Sequence, residues 1–152
     1  MLRFAAAFAA VMALSLPASA QMKKAKLDDG VRHRLIIQVN DNDAAKMNLA
    51  LNNAANVSTY YAGKGEEVEI EIVAYGPGLN MLIAGKSPVS KRITSFQQGM
   101  PNVAFTACGN TMSNMKKKTG KDVVLMSKIK VVPAGVTRIM DLQEKGWSYL
   151  KP

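Results

Sequence analysis

Apolar residues along this chain alternate between two spacings, and the alternation itself predicts an order of elements. Arg34-Leu35-Ile36-Ile37-Gln38-Val39 is a short run rich in branched side chains, read as a first strand. Asn40-Asp41-Asn42-Asp43 follows it, a cluster of helix-capping residues. Met47, Leu51, Ala54, Val57 and Tyr61 then recur every three or four positions, with Asn48, Asn52 and Asn56 on another face, which predicts a helix that Gly63 stops. Glu67 to Ile72 alternates strictly and runs into Val73-Ala74-Tyr75, a second strand whose three glutamates are expected to form a solvated face.

The turn Gly76-Pro77-Gly78 leads into a short apolar segment, Leu79 to Ala84, and a helix is expected over 89–98. Gly99-Met100-Pro101-Asn102 breaks that helix. A strand from Val103 to Ala107 comes next, then Cys108, then a helix beginning near Gly109-Asn110-Thr111 and ending in Lys116-Lys117-Lys118 before Gly120. Those lysines sit where cations complement a helix carboxyl end, which accounts for the run without a nucleic-acid patch. Lys128 to Pro133 reads as a further strand, Ala134-Gly135 as a turn, Val136 to Lys145 as the last helix, and Trp147 to Leu150 as a short tail. Strands alternating with helices imply parallel pairing, hence a single three-layer α/β/α sandwich with a mostly parallel sheet of about five strands.

The first twenty residues change the picture of where the protein works. Arg3, an apolar stretch from Phe4 to Leu16 and the small-residue site Ala18-Ser19-Ala20 read as a secretory signal peptide over 1–20, cleaved near Ala20. Residues 21–32 read as a loose amino-terminal arm and 33–152 as the domain. The expected address is periplasmic or secreted. The whole sequence carries 20 Lys and Arg against 11 Asp and Glu, and without Arg3 the mature chain keeps a charge of +8. Such a surface attracts anions, and export argues for a small anion, an acidic protein or anionic lipid rather than nucleic acid. A solvated basic surface with no dedicated anion explains the balance equally well. The sequence predicts no transmembrane segment, because the apolar stretch near the start is too short to span a bilayer comfortably.

Cys108 is the only cysteine of the chain. An internal disulfide is therefore impossible, and any covalent chemistry of the thiol involves another molecule. At the carboxyl end of a strand and ahead of a helix, the sulfur meets unpaired amides that stabilise a thiolate, and the expectation is that it faces solvent at the rim of the sheet. A buried, inert thiol is the alternative. Ligands of parallel sheets gather at the strands' carboxyl ends, so four turns become candidates: Asn40 to Asp43, Tyr75 to Gly78, Cys108 to Thr111 and Pro133 to Gly135. Asn40, Asp41, Tyr75, Gly76, Gly78, Gly109, Asn110, Thr111 and Gly135 are the expected ligand-binding residues around a catalytic Cys108. Their glycine or short polar side chains let backbone approach a ligand or present N–H donors. His33, at the start of the first strand, reads as structural and remote from the thiol.

Leu35-Ile36-Ile37-Gln38-Val39-Asn40, Val73-Ala74-Tyr75-Gly76-Pro77-Gly78-Leu79, Phe105-Thr106-Ala107-Cys108-Gly109-Asn110-Thr111-Met112 and Val132-Pro133-Ala134-Gly135-Val136, taken in order, resemble the DsrE/DsrF-like family, and most of all an exported subgroup of it. The resemblance implies an α/β/α domain, homo-oligomers, and in sulfur-relay members a cysteine that carries persulfide sulfur, a position Cys108 matches. It implies a sulfurtransferase-type carrier working with a thiol or persulfide donor and acceptor, and no cofactor. A relay to a cytoplasmic acceptor does not fit an export signal. Two other readings stand beside it. One is a non-catalytic small-ligand module or oligomeric scaffold. The other is soft-metal binding, since Cys108, Met112 and Met115 are spaced i, i+4 and i+7 and thiolate with thioether suits Cu(I), although such a methionine stripe also serves as core.

Overall fold

The computed structural model describes residues 33–152, so the expected signal peptide over 1–20 and arm over 21–32 lie outside the described residues. Five strands, β1 (His33–Val39), β2 (Val68–Ala74), β3 (Val103–Cys108), β4 (Lys130–Val132) and β5 (Ser148–Leu150), form one sheet in the order β4-β3-β2-β1-β5. Every pairing is parallel. The helices between them are α1 (Ala44–Ala62), α2 (Ser90–Gly99), α3 (Gly109–Thr119) and α4 (Gly135–Glu144), with a 3-10 turn over Gly76–Leu82 after β2. The fold is the single α/β domain that the alternation of periods predicted.

Two faces of the sheet are covered unequally. Ile37, Ile70, Ile72, Val103, Phe105 and Ala107 point to the side of α1, α2 and α3 and pack with Met47, Leu51, Ala54, Ile93 and Phe96 into the main core. On the other side, among the described residues, α4 alone lays Ile139 and Leu142 on Ile36 and Val73, with Trp147 closing the cluster. The chain walks one way through β1, β2, β3 and β4, then returns across the sheet through α4 to pair β5 with β1. A right-handed return in the opposite direction has to pass over the opposite face, which is why α4 is alone there.

Gly63 ends α1 as expected, standing as the C-cap after Ala62 with its φ of −64° still in the right-handed range. Two local expectations need correction. The tail after Trp147 is not a mere tail: Ser148–Leu150 is β5, paired with Leu35–Ile37. The glutamates of β2 do not share a solvated face. Glu69 is exposed, while Glu71 is 4% exposed beneath α4, as befits an internal strand of a sheet with helices on both sides.

Candidate functional site around Cys108

Register fixes the site before any side chain is considered. Val39 pairs with Ala74, Ala74 with Ala107 and Ala107 with Val131, so four strands end level and their following turns share one edge. α3 leaves β3 toward one face and α4 leaves β4 toward the other. Between the two is a switch point of the parallel sheet, the crevice where such folds place their ligands. Cys108 is the last residue of β3 and the N-cap of α3, and it occupies that crevice.

Its neighbours come from three of the four turns. Gly135, the first residue of α4, is buried so tightly that a Cβ there would lie 3.1 Å from Tyr75 Cβ and 3.3 Å from Cys108 Cβ. Thr111 Oγ1 accepts the Gly76 amide at 2.9 Å, which ties the turn after β2 to α3. The Asn110 amide donates to Pro133 O at 3.0 Å and ties α3 to the turn after β4. A cavity of about 300 Å³, lined by Gly76, Asn80, Thr111, Asn114 and Lys118 among others, opens on the far side of Thr111.

The thiol is 5% exposed, which corrects the expectation of a solvent-facing sulfur. Burial alone pushes its pKa up. Hydrogen bonds from the Thr111 hydroxyl and from the backbone amides of Gly135, Thr111 and Asn110 outweigh that, and the net direction is down. Among these donors Asn110 contributes least, and its amide also donates to Pro133 O. Gly109 is not a donor to the sulfur, although the sequence pointed to it; its α-carbon packs against β4, where a Cβ would meet Val132 O at 3.1 Å. The donor that the strand-then-helix pattern could not supply is Gly135, which brings the start of a second helix to the same atom.

The remaining expected residues divide. Tyr75 lies beside Cys108 on the α4 side of the sheet, its hydroxyl pKa raised by burial and by the neighbouring Tyr149, Asp41 and Cys108. Asn40 reaches the edge of the site, and its Oδ1 is buried without a hydrogen-bond partner among the described residues. Asp41 turns outward to Lys46, 2.7 Å away, and that bond with the lysine charge lowers its pKa. Gly78 is a packing position: a Cβ there would stand 2.4 Å from Val39 O, so only glycine lets the turn lie on β1. Met112 and Met115 pack against the main core, on the side of the sheet away from the Cys108 crevice, which removes the shared Cys–Met–Met face. His33 stacks on Tyr61 at 3.7 Å and bonds Glu66 at the amino edge of the sheet, remote from the thiol as expected.

Sequence reasoning passed over a buried charge cluster on the same face. Arg138, one turn into α4, donates from Nε to Glu71 Oε1 at 2.9 Å and from Nη2 to Glu71 Oε2 at 2.6 Å. Thr106 Oγ1, two residues before Cys108, adds a third bond at 2.8 Å. Burial pushes the Glu71 carboxyl up, but Arg138 and Thr106 more than offset it and the pKa falls below the usual carboxylate value. The available signal was positional: a glutamate in the middle of an inner parallel strand cannot reach water on either face.

The family model for the DsrE/DsrF-like family matches residues 33–152, the whole described domain. The chain belongs to the DsrE/DsrF-like family. Among solved structures, this DsrE-like chain is similar to a protein of unknown function, MTH1491, from Methanobacterium thermoautotrophicum, with 30% identity and a TM-score of 0.67 over 79% of this chain and 99% of that one. No curated protein matches the chain. The family and the parallel α/β fold therefore agree with the four segments that carried the resemblance.

Proposed function

We propose that this DsrE-like protein is an exported sulfur carrier, periplasmic or secreted, in which Cys108 holds sulfane sulfur as a persulfide. The observation that supports the reading is a lone thiol at the sheet's switch point whose pKa is lowered despite burial, by a hydroxyl and by amides from two helix starts. In the loading step the Cys108 thiolate attacks the sulfane sulfur of a donor with an S–S bond. The new bond is Sγ–S, the donor's S–S bond breaks, and its electron pair leaves with the departing anion. In the unloading step an acceptor thiolate attacks the outer sulfur and Cys108 departs as the thiolate that began the cycle. No cofactor enters this balance. The Thr111 hydroxyl and Gly135 amide serve both steps, since each starts or ends with charge on Sγ.

The net positive charge suits anionic donors such as sulfur oxyanions, and the homo-oligomer implied by the family resemblance is part of the same proposal. Burial of the thiol favours a second reading, a binding module or oligomeric scaffold in which Cys108 only packs. One measurement separates the two. After incubation with thiosulfate or inorganic polysulfide, intact-mass analysis of the protein gains one sulfur atom, tryptic peptides place it on Cys108, and Cys108→Ser abolishes it. No adduct, with slow alkylation of the folded thiol, leaves the module.

A further inference from the structure

The face of the sheet under α4 carries two contacts one helical turn apart. At the first, Gly135 seats against Cys108 and Tyr75. At the second, three residues further along α4, Arg138 grips Glu71 through two parallel N–H···O bonds, with Thr106 completing the set around the carboxylate. Apolar residues hold α4 only farther on, at Ile139 and Leu142. Apart from the Gly135 amide at the sulfur itself, nothing else polar ties the first turn of α4 to the sheet among the hydrogen bonds of the described residues.

The geometry points to Glu71 and Arg138 as positioning residues for the thiol: their ion pair clamps the opening turn of α4 to β2 and β3, and so keeps the Gly135 amide on the Cys108 sulfur. The planar fork of arginine is suited to this, because two parallel bonds fix a direction as well as a distance. A glutamate buried at 4% exposure is otherwise a poor source of stability, since desolvation cancels most of what the pair gains. The pair's placement two residues from Cys108 along β3, and three from Gly135 along α4, gives it a use. The inference rests on the sulfur-carrier reading for its purpose, not for its test.

That test is titration of the Cys108 thiolate by its ultraviolet absorbance, each protein being read against its own Cys108→Ser blank. Tyr75 beside the sulfur, Lys130 on β4 facing Glu71, and Glu69 and Asp141 beside Arg138 stay in place throughout. Arg138→Met raises the thiol pKa by about one unit, the size of one lost hydrogen bond to the charged form. Glu71→Gln is the sharper variant. Deleting an anion near a thiolate lowers its pKa if charge alone matters, whereas loosening the clamp raises it. Arg138→Lys keeps the cation and the fold, loses the fork, and gives a smaller rise, so it decides the matter should the other two fail to fold. A fall in Glu71→Gln, or unchanged values in Glu71→Gln and Arg138→Lys, overturns the clamp. The titration contains no sulfur donor. Unshifted pKa values with persulfide still forming sink the clamp alone; shifted values with no persulfide in the wild type sink the carrier alone.

Discussion

A thiol that is almost fully buried yet has its pKa lowered depends on a handful of donors, and Thr111 is the most connected of them. Its hydroxyl oxygen accepts from Gly76, and the hydroxyl is the largest single influence lowering the thiol pKa. Thr111→Val keeps the shape and removes both bonds, so it raises the Cys108 pKa, slows alkylation at neutral pH, and costs about 1–2 kcal/mol because the Gly76 amide is left unpaired. Alkylation rate against pH and a urea melt read the two effects separately. The depressed thiol pKa also ties stability to pH. A group whose folded pKa lies below its unfolded value stabilises the fold above the unfolded value, here about 8.5, and loses that contribution as pH falls through the folded one. Wild type minus Cys108→Ser stability therefore grows as pH rises toward that value, as measured by denaturation at a series of pH values. Gly78 answers to packing alone: Gly78→Ala drives a methyl into Val39 O and destabilises by about 3 kcal/mol, read in the same melts.

At the scale of elements, caps and edges were legible in the chain because they are local. Asp43 was one of four capping residues after β1, and its Oδ1 accepts the Ala45 and Lys46 amides at 2.7 and 3.2 Å. Asp43→Ala costs about 1 kcal/mol without touching the thiol, a control by which site effects are distinguished from loss of stability. The starts of β2 and β3 and the break at Gly99 to Asn102 were readable for the same reason. β5 was not. Its three residues carry no pattern of their own, and it is a strand only because Leu35, Ile36 and Ile37 offer a free edge to it. Glu71 misled for a related reason, since alternation on an inner parallel strand does not separate core from solvent when both faces are covered.

Across the molecule, the Glu71–Arg138 pair joins sheet and solitary helix, and its pH response belongs to the whole fold. Glu71 has a lowered folded pKa, so its contribution is present above the unfolded value of about 4.3 and fades as pH falls through the folded one. Glu71→Gln flattens the acid limb of the stability curve measured by thermal melts, and Arg138→Met, by stranding a buried carboxylate, costs about 3 kcal/mol at neutral pH. The same return of the chain that isolates α4 also makes the site. Order of elements, parallel class, the lone cysteine at a strand's end and the four turns were fixed by the sequence alone, because periodicity and turn chemistry act between residues close along the chain. Only the tertiary structure decided that the sulfur is buried, that Gly135 rather than Gly109 supplies its amide, and that a carboxylate and a guanidinium 67 positions apart hold that amide in place. Those facts depend on where β4 sends its helix, and the direction of that crossing is set by sheet pairing that no local stretch of residues encodes.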